Sequence, residues 1–397
     1  MSGQMMADEL KERQNKAMER IFRQNPELDT ILISNRLNQY YLTGTLQDGL
    51  LVLKKDGLIR YFVRKSYERA KMECPFDWVT KMHSYRDMLA FLPQNLGRVG
   101  TETEWMTIAT KERLGKYFIL ESIESIDSQM LSVRAVKSER ELALIAESGR
   151  QQAQLQNEII PGLLRCGMSE ADLLAEIYEA MVKLGHHGVS RFGMPQTELI
   201  AGQIGFGENS IYPTCFDGPD GMRGLSPAVP MIGDRHRFLK KGDLVFVDIG
   251  YGVDGYHSDK TQVYSYGQPP SEEVAALHHF CRQVLAQIVE KLVPGAIPSQ
   301  IYESVMADLP DQLKRHFMGF GTETVRFLGH GVGLQIDEAP VIALHQTEPI
   351  KENMVIAIEP KRGIPGYGMV GVEETYVITK EGALCLTGGD RDIIEIA

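Results

Sequence analysis

The feature that most constrains this chain is an apolar run that ends in an acid and then turns back on itself. Leu244-Val245-Phe246-Val247 leads into Asp248, residues 250–255 are glycine-rich, and Tyr256 to Tyr266 returns with Thr261, Val263 and Tyr264. β-Branched and aromatic residues on both sides of a glycine-rich turn predict a hairpin. With Val253-Asp254 as a two-residue loop, Asp248 faces Asp259. A second turn, Pro365-Gly366-Tyr367, lies midway between Glu359 and Glu373 and opposes them in the same way. Directly opposed side chains sit about 5 Å apart, where like charges repel. Strands this apolar are buried, and buried carboxylates persist only when paired, hydrogen-bonded or bound to a cation. Two facing acid pairs therefore predict a metal centre, with Asp248, Asp259, His330, Glu359 and Glu373 as candidate ligands.

The glycines of the first turn also match a dinucleotide fingerprint, Gly250-Tyr251-Gly252-Val253-Asp254-Gly255. That motif needs a helix immediately afterwards to aim its N-terminus at a pyrophosphate. Tyr256 to Tyr266 has no helical stripe and reads as a strand, so the glycines are assigned to the hairpin.

At 397 residues the chain exceeds one comfortable core, so two domains are expected. Residues 1–134 read as a small α/β domain. Its strands are Thr30–Ile33, Leu50–Leu53 and Ile59–Val63, and its helices Tyr85–Leu92 and Thr107–Leu120. Residues 135–397 read as α+β rather than doubly wound. Ser138 and Glu141 form a capping-box pattern, and helices are expected at Ser169–Leu184, Ser271–Val293 and Pro298–Leu309. The Gly/Pro-rich stretch Ala201–Gly233 is long enough to be a site-lining loop. A net charge of −11 argues against a nucleic-acid partner. Five scattered cysteines without CxxC spacing suggest buried thiols in a reducing cytosol. Met1 to Phe22 is charged and helical, unlike a signal peptide, and no apolar run reaches membrane-spanning length. A cytoplasmic protein without a membrane partner is expected.

With the ligands placed, the chain resembles the pita-bread metallopeptidases: methionine aminopeptidase, Xaa-Pro aminopeptidase and prolidase. The resemblance rests on Val247-Asp248-Ile249-Gly250, Asp254-Gly255-Tyr256-His257-Ser258-Asp259-Lys260-Thr261, Gly329-His330-Gly331-Val332-Gly333-Leu334, Ile358-Glu359-Pro360 and Gly371-Val372-Glu373-Glu374-Thr375, in family order. Ser34 to Gly44 is similar to the creatinase-type N-terminal domain of the Xaa-Pro aminopeptidase/prolidase branch. The resemblance implies a C-terminal pita-bread (creatinase/aminopeptidase) fold behind that smaller α/β domain, and a homodimer. It implies two divalent ions, with Asp248 on one, Asp259 and Glu373 bridging, and His330 and Glu359 on the other. Manganese suits such a carboxylate-rich set with one imidazole, and zinc, cobalt and iron are the other candidates. A bridging hydroxide would attack a short peptide, Glu359 would be the general base, and Thr261 would support a ligand.

The chain also departs from that family. Met231 and Asp337 stand where active members carry histidines that contact the substrate, Gly371 replaces an arginine, and Lys361 replaces the glycine after Glu-Pro. Lys361, Arg362, His236 and His345 are the candidates to compensate. The two histidines read first as solvated loop residues, whereas Lys361 and Arg362 are expected to offer cations to a substrate carboxylate. Three readings compete: an Xaa-Pro-type peptidase acting on short peptides; a hydrolase or lyase for a small non-peptide substrate, with catalytic Asp337 as base; and a binding protein that has lost catalysis. The last is disfavoured because all five ligands are kept.

Overall fold

The structure, a computed structural model, describes residues 3–194, 197–388 and 391–397. It divides into two compact units, Met1–Arg134 and Ala135–Ala397.

The smaller unit is built on a mixed six-stranded sheet. Its central strand β1 (Thr30–Ile33) is entirely buried, as its apolar sequence requires. It runs antiparallel to β2 (Asp48–Lys54), which pairs with β3 (Ile59–Lys65) and through it with β4 (Val79–Lys81). On its other side β1 is parallel to β5 (Arg98–Thr101), followed by β6 (Ser122–Ser125). Two helices are shorter than expected. Tyr85–Ala90 forms a 3-10 helix capped by Ser84 and Asp87, and the α-helix after Thr107 spans only Ile108–Gly115. Gly115 is a weak helix former, and Phe118 must leave the helical path to fill the core beside Leu32, Val99 and Leu114.

In the larger unit, Ser138 and Glu141 do form a reciprocal capping box, and they start α1 (Glu139–Gln154). Ser169 and Asp172 do the same for α2 (Glu170–Leu184). These helices cover a sheet of β7 (Gly202–Phe206), β8 (Leu244–Val253) and β9 (Tyr256–Tyr266), edged by a short strand, Ile394–Ile396. Two further helices, α3 (Glu272–Lys291) and α4 (Pro298–Asp308), cover a second sheet. Its strands are β10 (Phe327–Val332), β11 (Ile336–Ala343), β12 (Val355–Ile358), β15 (Glu374–Thr379) and β16 (Gly382–Cys385). A hairpin of β13 (Lys361–Ile364) and β14 (Gly368–Gly371) connects β12 to β15. Val284, Leu285 and Ile288 of α3 pack with Leu328, Ile356 and Ile358 of the sheet. Each such burial contributes about 1.5–3 kcal/mol. Sheets with helices on their outer faces leave the inner faces free to meet. That is the pita-bread architecture, preceded by a creatinase-type domain.

One register differs from expectation. Val253 pairs with Tyr256, so the loop is Asp254-Gly255 rather than Val253-Asp254. Both loop residues have positive φ, 47° and 93°. A β-branched valine is strained there, whereas Asp-Gly is a favoured hairpin pair. Asp248 therefore lies opposite Thr261, and Asp259 opposite Gly250. Moving the loop by one residue shifts partners by two, so the acids keep one face as diagonal rather than direct neighbours. The second hairpin has the expected register: Ile358↔Glu374 and Lys361↔Gly371 bracket Glu359 and Glu373. The glycine motif at residues 250–255 lies in the β8–β9 hairpin, with no helix after it.

Candidate metal centre

The centre lies where the two sheets meet. Asp248 projects from β8, and Asp259 and Thr261 from β9. His330 comes from β10, Asp337 from β11, and Glu359 and Glu373 flank β12 and β15. The seam is fixed locally: the Thr261 amide donates to the Glu373 carbonyl at 3.3 Å, and the Asp259 amide to Thr375 Oγ1 at 2.8 Å. The Thr261 hydroxyl donates to Glu373 Oε2 at 3.1 Å, the ligand-supporting role expected of it.

Side-chain ligand atoms converge in two triads that share Glu373: Asp259–His330–Glu373 and Asp248–Glu359–Glu373, each within 4.8 Å. In the first, His330 Nε2 stands 3.9 Å from Asp259 Oδ2 and 3.6 Å from Glu373 Oε1, too far for hydrogen bonds. Glu373 Oε1 is buried without a hydrogen-bond partner. Nitrogen and oxygen donors converging around an unsatisfied carboxylate oxygen fit a divalent cation. The second triad is already filled. Lys361 Nζ donates to Asp248 Oδ2 at 2.7 Å, to Glu359 Oε2 at 2.8 Å and to Glu373 Oε2 at 2.8 Å.

Burial dominates the electrostatics. It pushes Asp248 up to about 6 against the opposing pull of Lys361, and it raises Asp259 further with help from Glu373 and Asp248. Burial would also raise Glu359, but Lys361 and His330 outweigh it and hold the carboxyl below its ordinary value. His330 goes the other way: burial would lower it, and the carboxylates of Asp337, Glu359 and Glu373 lift it well above its usual range. A centre that attracts protons this strongly has room for positive charge.

Above the triads opens a cleft lined by Gln203, Phe192, Phe216, Asp217, Gly218, Ile336 and Asp337 as well as the candidate ligands. Asp337 lies where expected, its Oδ1 3.5 Å from His330 Nδ1, and burial pushes its carboxyl up to about 6. Met231 and the exposed His236 do not line the cleft, and His345 is exposed in a turn. Arg362 donates to the Leu313 carbonyl. The expectation for Lys361 is corrected: it is fully buried among the carboxylates of Asp248, Glu359 and Glu373 and cannot reach a substrate carboxylate.

Two residues went unnoticed in the sequence. Gln203 is 2% exposed, lines the cleft, and has neither side-chain polar atom hydrogen-bonded. Asp220 is 7% exposed with both oxygens unpartnered; burial, then the charges of Asp248 and Glu359, push it well above the carboxylate range, with Lys361 opposing. Gln203 alternates with Ile204 on a strand beside Asp248, a placement that the β7 pattern could have revealed. Asp220 sits in irregular chain, where no periodicity marks it.

This fold and this acid-and-imidazole centre define a metal-dependent hydrolase of the pita-bread class. The sequence profile of metallopeptidase family M24 matches residues 140–380, and that of the creatinase/prolidase N-terminal domain matches residues 13–136. The chain belongs to metallopeptidase family M24. It is 26% identical over 389 residues to the Xaa-Pro dipeptidase of Pyrococcus furiosus, covering 97% of this chain and all of the relative. The prolidase of Pyrococcus horikoshii superposes with a TM-score of 0.79 at 23% identity, covering 96% of this chain and all of that one. The Xaa-Pro dipeptidase of Bacillus anthracis gives 0.78 at 19%, covering 96% and 99%. Among the described residues, no helix is long and apolar enough to cross a membrane.

Proposed function

We propose that this chain is a manganese-dependent peptidase for short peptides with proline in the second position. The observation that carries the reading is the Asp259–His330–Glu373 triad at the floor of the cleft, with Glu373 Oε1 buried and unpartnered. A divalent ion held there would polarise the scissile carbonyl and acidify an attacking water. Glu359 would accept the water's proton, and the Lys361 ammonium, 2.8 Å from its Oε2, keeps it ionised. Gln203 offers an acceptor and a donor to a peptide group. Phe192 and Phe216, edge to face with centroids 4.8 Å apart, give an apolar wall suited to a prolyl ring.

A second reading is favoured by one observation. Asp337 holds a positive φ of 68° and lines the cleft beside His330, where the family resemblance expects a histidine donor. A carboxylate there opposes an anionic intermediate and can instead serve as base on a small non-peptide substrate. Manganese-loaded protein assayed on Xaa-Pro dipeptides, tripeptides and small amides separates the two. The peptidase reading expects proline-peptide turnover that chelation abolishes and manganese restores. Turnover of a small amide alone, with metal bound, would overturn it in favour of the second reading.

A further inference from the structure

We propose that the Lys361 ammonium is a built-in cation standing where a second metal ion would bind, so that the chain holds one divalent ion and not two. This deepens the metal-dependent reading and rests on it. The three N–H donors of an ammonium match three acceptors, and Lys361 Nζ finds all three in the second triad, at 2.7, 2.8 and 2.8 Å. An ion entering those carboxylates would meet the ammonium at contact distance and be repelled.

The carboxylates divide their oxygens accordingly. Glu373 gives Oε2 to Lys361 and Thr261, and leaves Oε1 unpartnered, 3.6 Å from His330 Nε2. Glu359 gives Oε2 to Lys361, with Oε1 3.4 Å from the same nitrogen. Glu373 therefore spans the ammonium and the open triad, as it would span two metals, and Glu359 turns its free oxygen toward the same imidazole.

The backbone makes room for this arrangement. Lys361 pairs across the hairpin with Gly371, which holds a φ of 138°. A Cβ on Gly371 would come within 2.6 Å of Lys361 Cα and 2.5 Å of the Pro360 carbonyl oxygen. The two departures are thus one: the glycine that replaces an arginine lies directly against the lysine that replaces a glycine. Lys361 has no exposed surface from which to swing away.

Wild-type protein is saturated with manganese, freed of loose ions by gel filtration, and examined by elemental analysis and electron paramagnetic resonance. One ion per chain and an uncoupled six-line spectrum are expected. In Lys361→Gly the count should rise to two, with exchange-coupled features. Asp248→Asn guards against a misfolded glycine variant: Asp248 belongs to the lysine's triad, so one ion should remain. Two ions in wild type, or loss of the ion in Asp248→Asn, would overturn the proposal while leaving metal dependence intact. No ion in wild type overturns the metal-dependent reading together with this one. One ion without peptide turnover supports the proposal and removes only the substrate.

Discussion

Behind the candidate metal ligands lies a buried ion pair whose removal should reveal strong coupling. Lys260 and Glu374 directly follow Asp259 and Glu373, so strand alternation turns them to the opposite face. Their side chains meet at 2.6 Å with 1% exposure each. Glu374 Oε2 also accepts from Thr387 Oγ1 at 2.6 Å, and Arg391 Nε approaches Oε1 at 3.4 Å. Removing one partner of a buried pair costs about 3–5 kcal/mol, because a charge is left without compensation. Lys260→Met should fall at the low end, since Arg391 and Thr387 still serve Glu374. Glu374→Leu should fall at the high end, since it strands the Lys260 ammonium. The double variant replaces both charges with apolar groups and should cost clearly less than the two singles added together, giving a coupling of at least about 2 kcal/mol. Both tryptophans, Trp78 and Trp105, lie in the smaller unit, so their fluorescence would miss the effect. Urea unfolding followed by circular dichroism, with hydrogen exchange of β9 and β15 amides, reads the right region. Additive losses, with coupling below about 0.5 kcal/mol, would refute the argument.

Other expectations concern the centre and its surroundings. Glu359→Gln should lower turnover at least about a hundredfold, since an amide cannot take a proton from water; activity within a few-fold of wild type rejects its role as base. Asp259→Ala should lose bound manganese on elemental analysis, and retention at wild-type level would remove it from the ligand set. Asp337→His should speed proline-peptide hydrolysis if the wild type is a weak peptidase; efficient cleavage by the wild type would show that Asp337 is no handicap. Burial, then the charge of neighbouring His187, holds His186 down to about 4, and its Nδ1 accepts the Gly252 amide at 2.9 Å. The unfolded chain takes up that proton near pH 6.5 and the folded one does not. The stability contribution is therefore complete above pH 6.5 and lost as pH falls toward 4, at up to about 1.4 kcal/mol per pH unit. His186→Leu should show a shallower fall in denaturation midpoints between pH 7 and 5, and an unchanged slope would refute the assignment.

The parts of the fold legible in the sequence are those where a single period or cap dictates the answer. Thr30–Ile33 is four apolar-facing residues in a row and forms a strand over that span. Ser138 and Glu141 satisfy each other's backbone amides, so the start of α1 is a local property. The gathering of acids followed from alternation, which survived the shift of the first turn because that shift was by two partners. What could not be read depends on cross-chain geometry. Lys361 has the composition of a surface residue, and only its pairing with Gly371 shows that it is directed inward. Asp220 lies in a loop whose path has no repeat from which to place a side chain, so its approach to Lys361 and Asp248 is purely tertiary.

The division of the centre between two sheets has a consequence for how this unit holds together. Asp259 comes from the first sheet; His330 and Glu373 come from the second, far along the chain. A cation bound by all three can be retained only while the sheets stay docked, so binding energy acts as a clamp across the seam. A chain severed in the turn after β9, near residues 267–270, would offer two fragments that each carry an incomplete set. Their reassociation should tighten in proportion to manganese concentration, which would make the ion a fragment-complementation reporter rather than only a catalyst's tool.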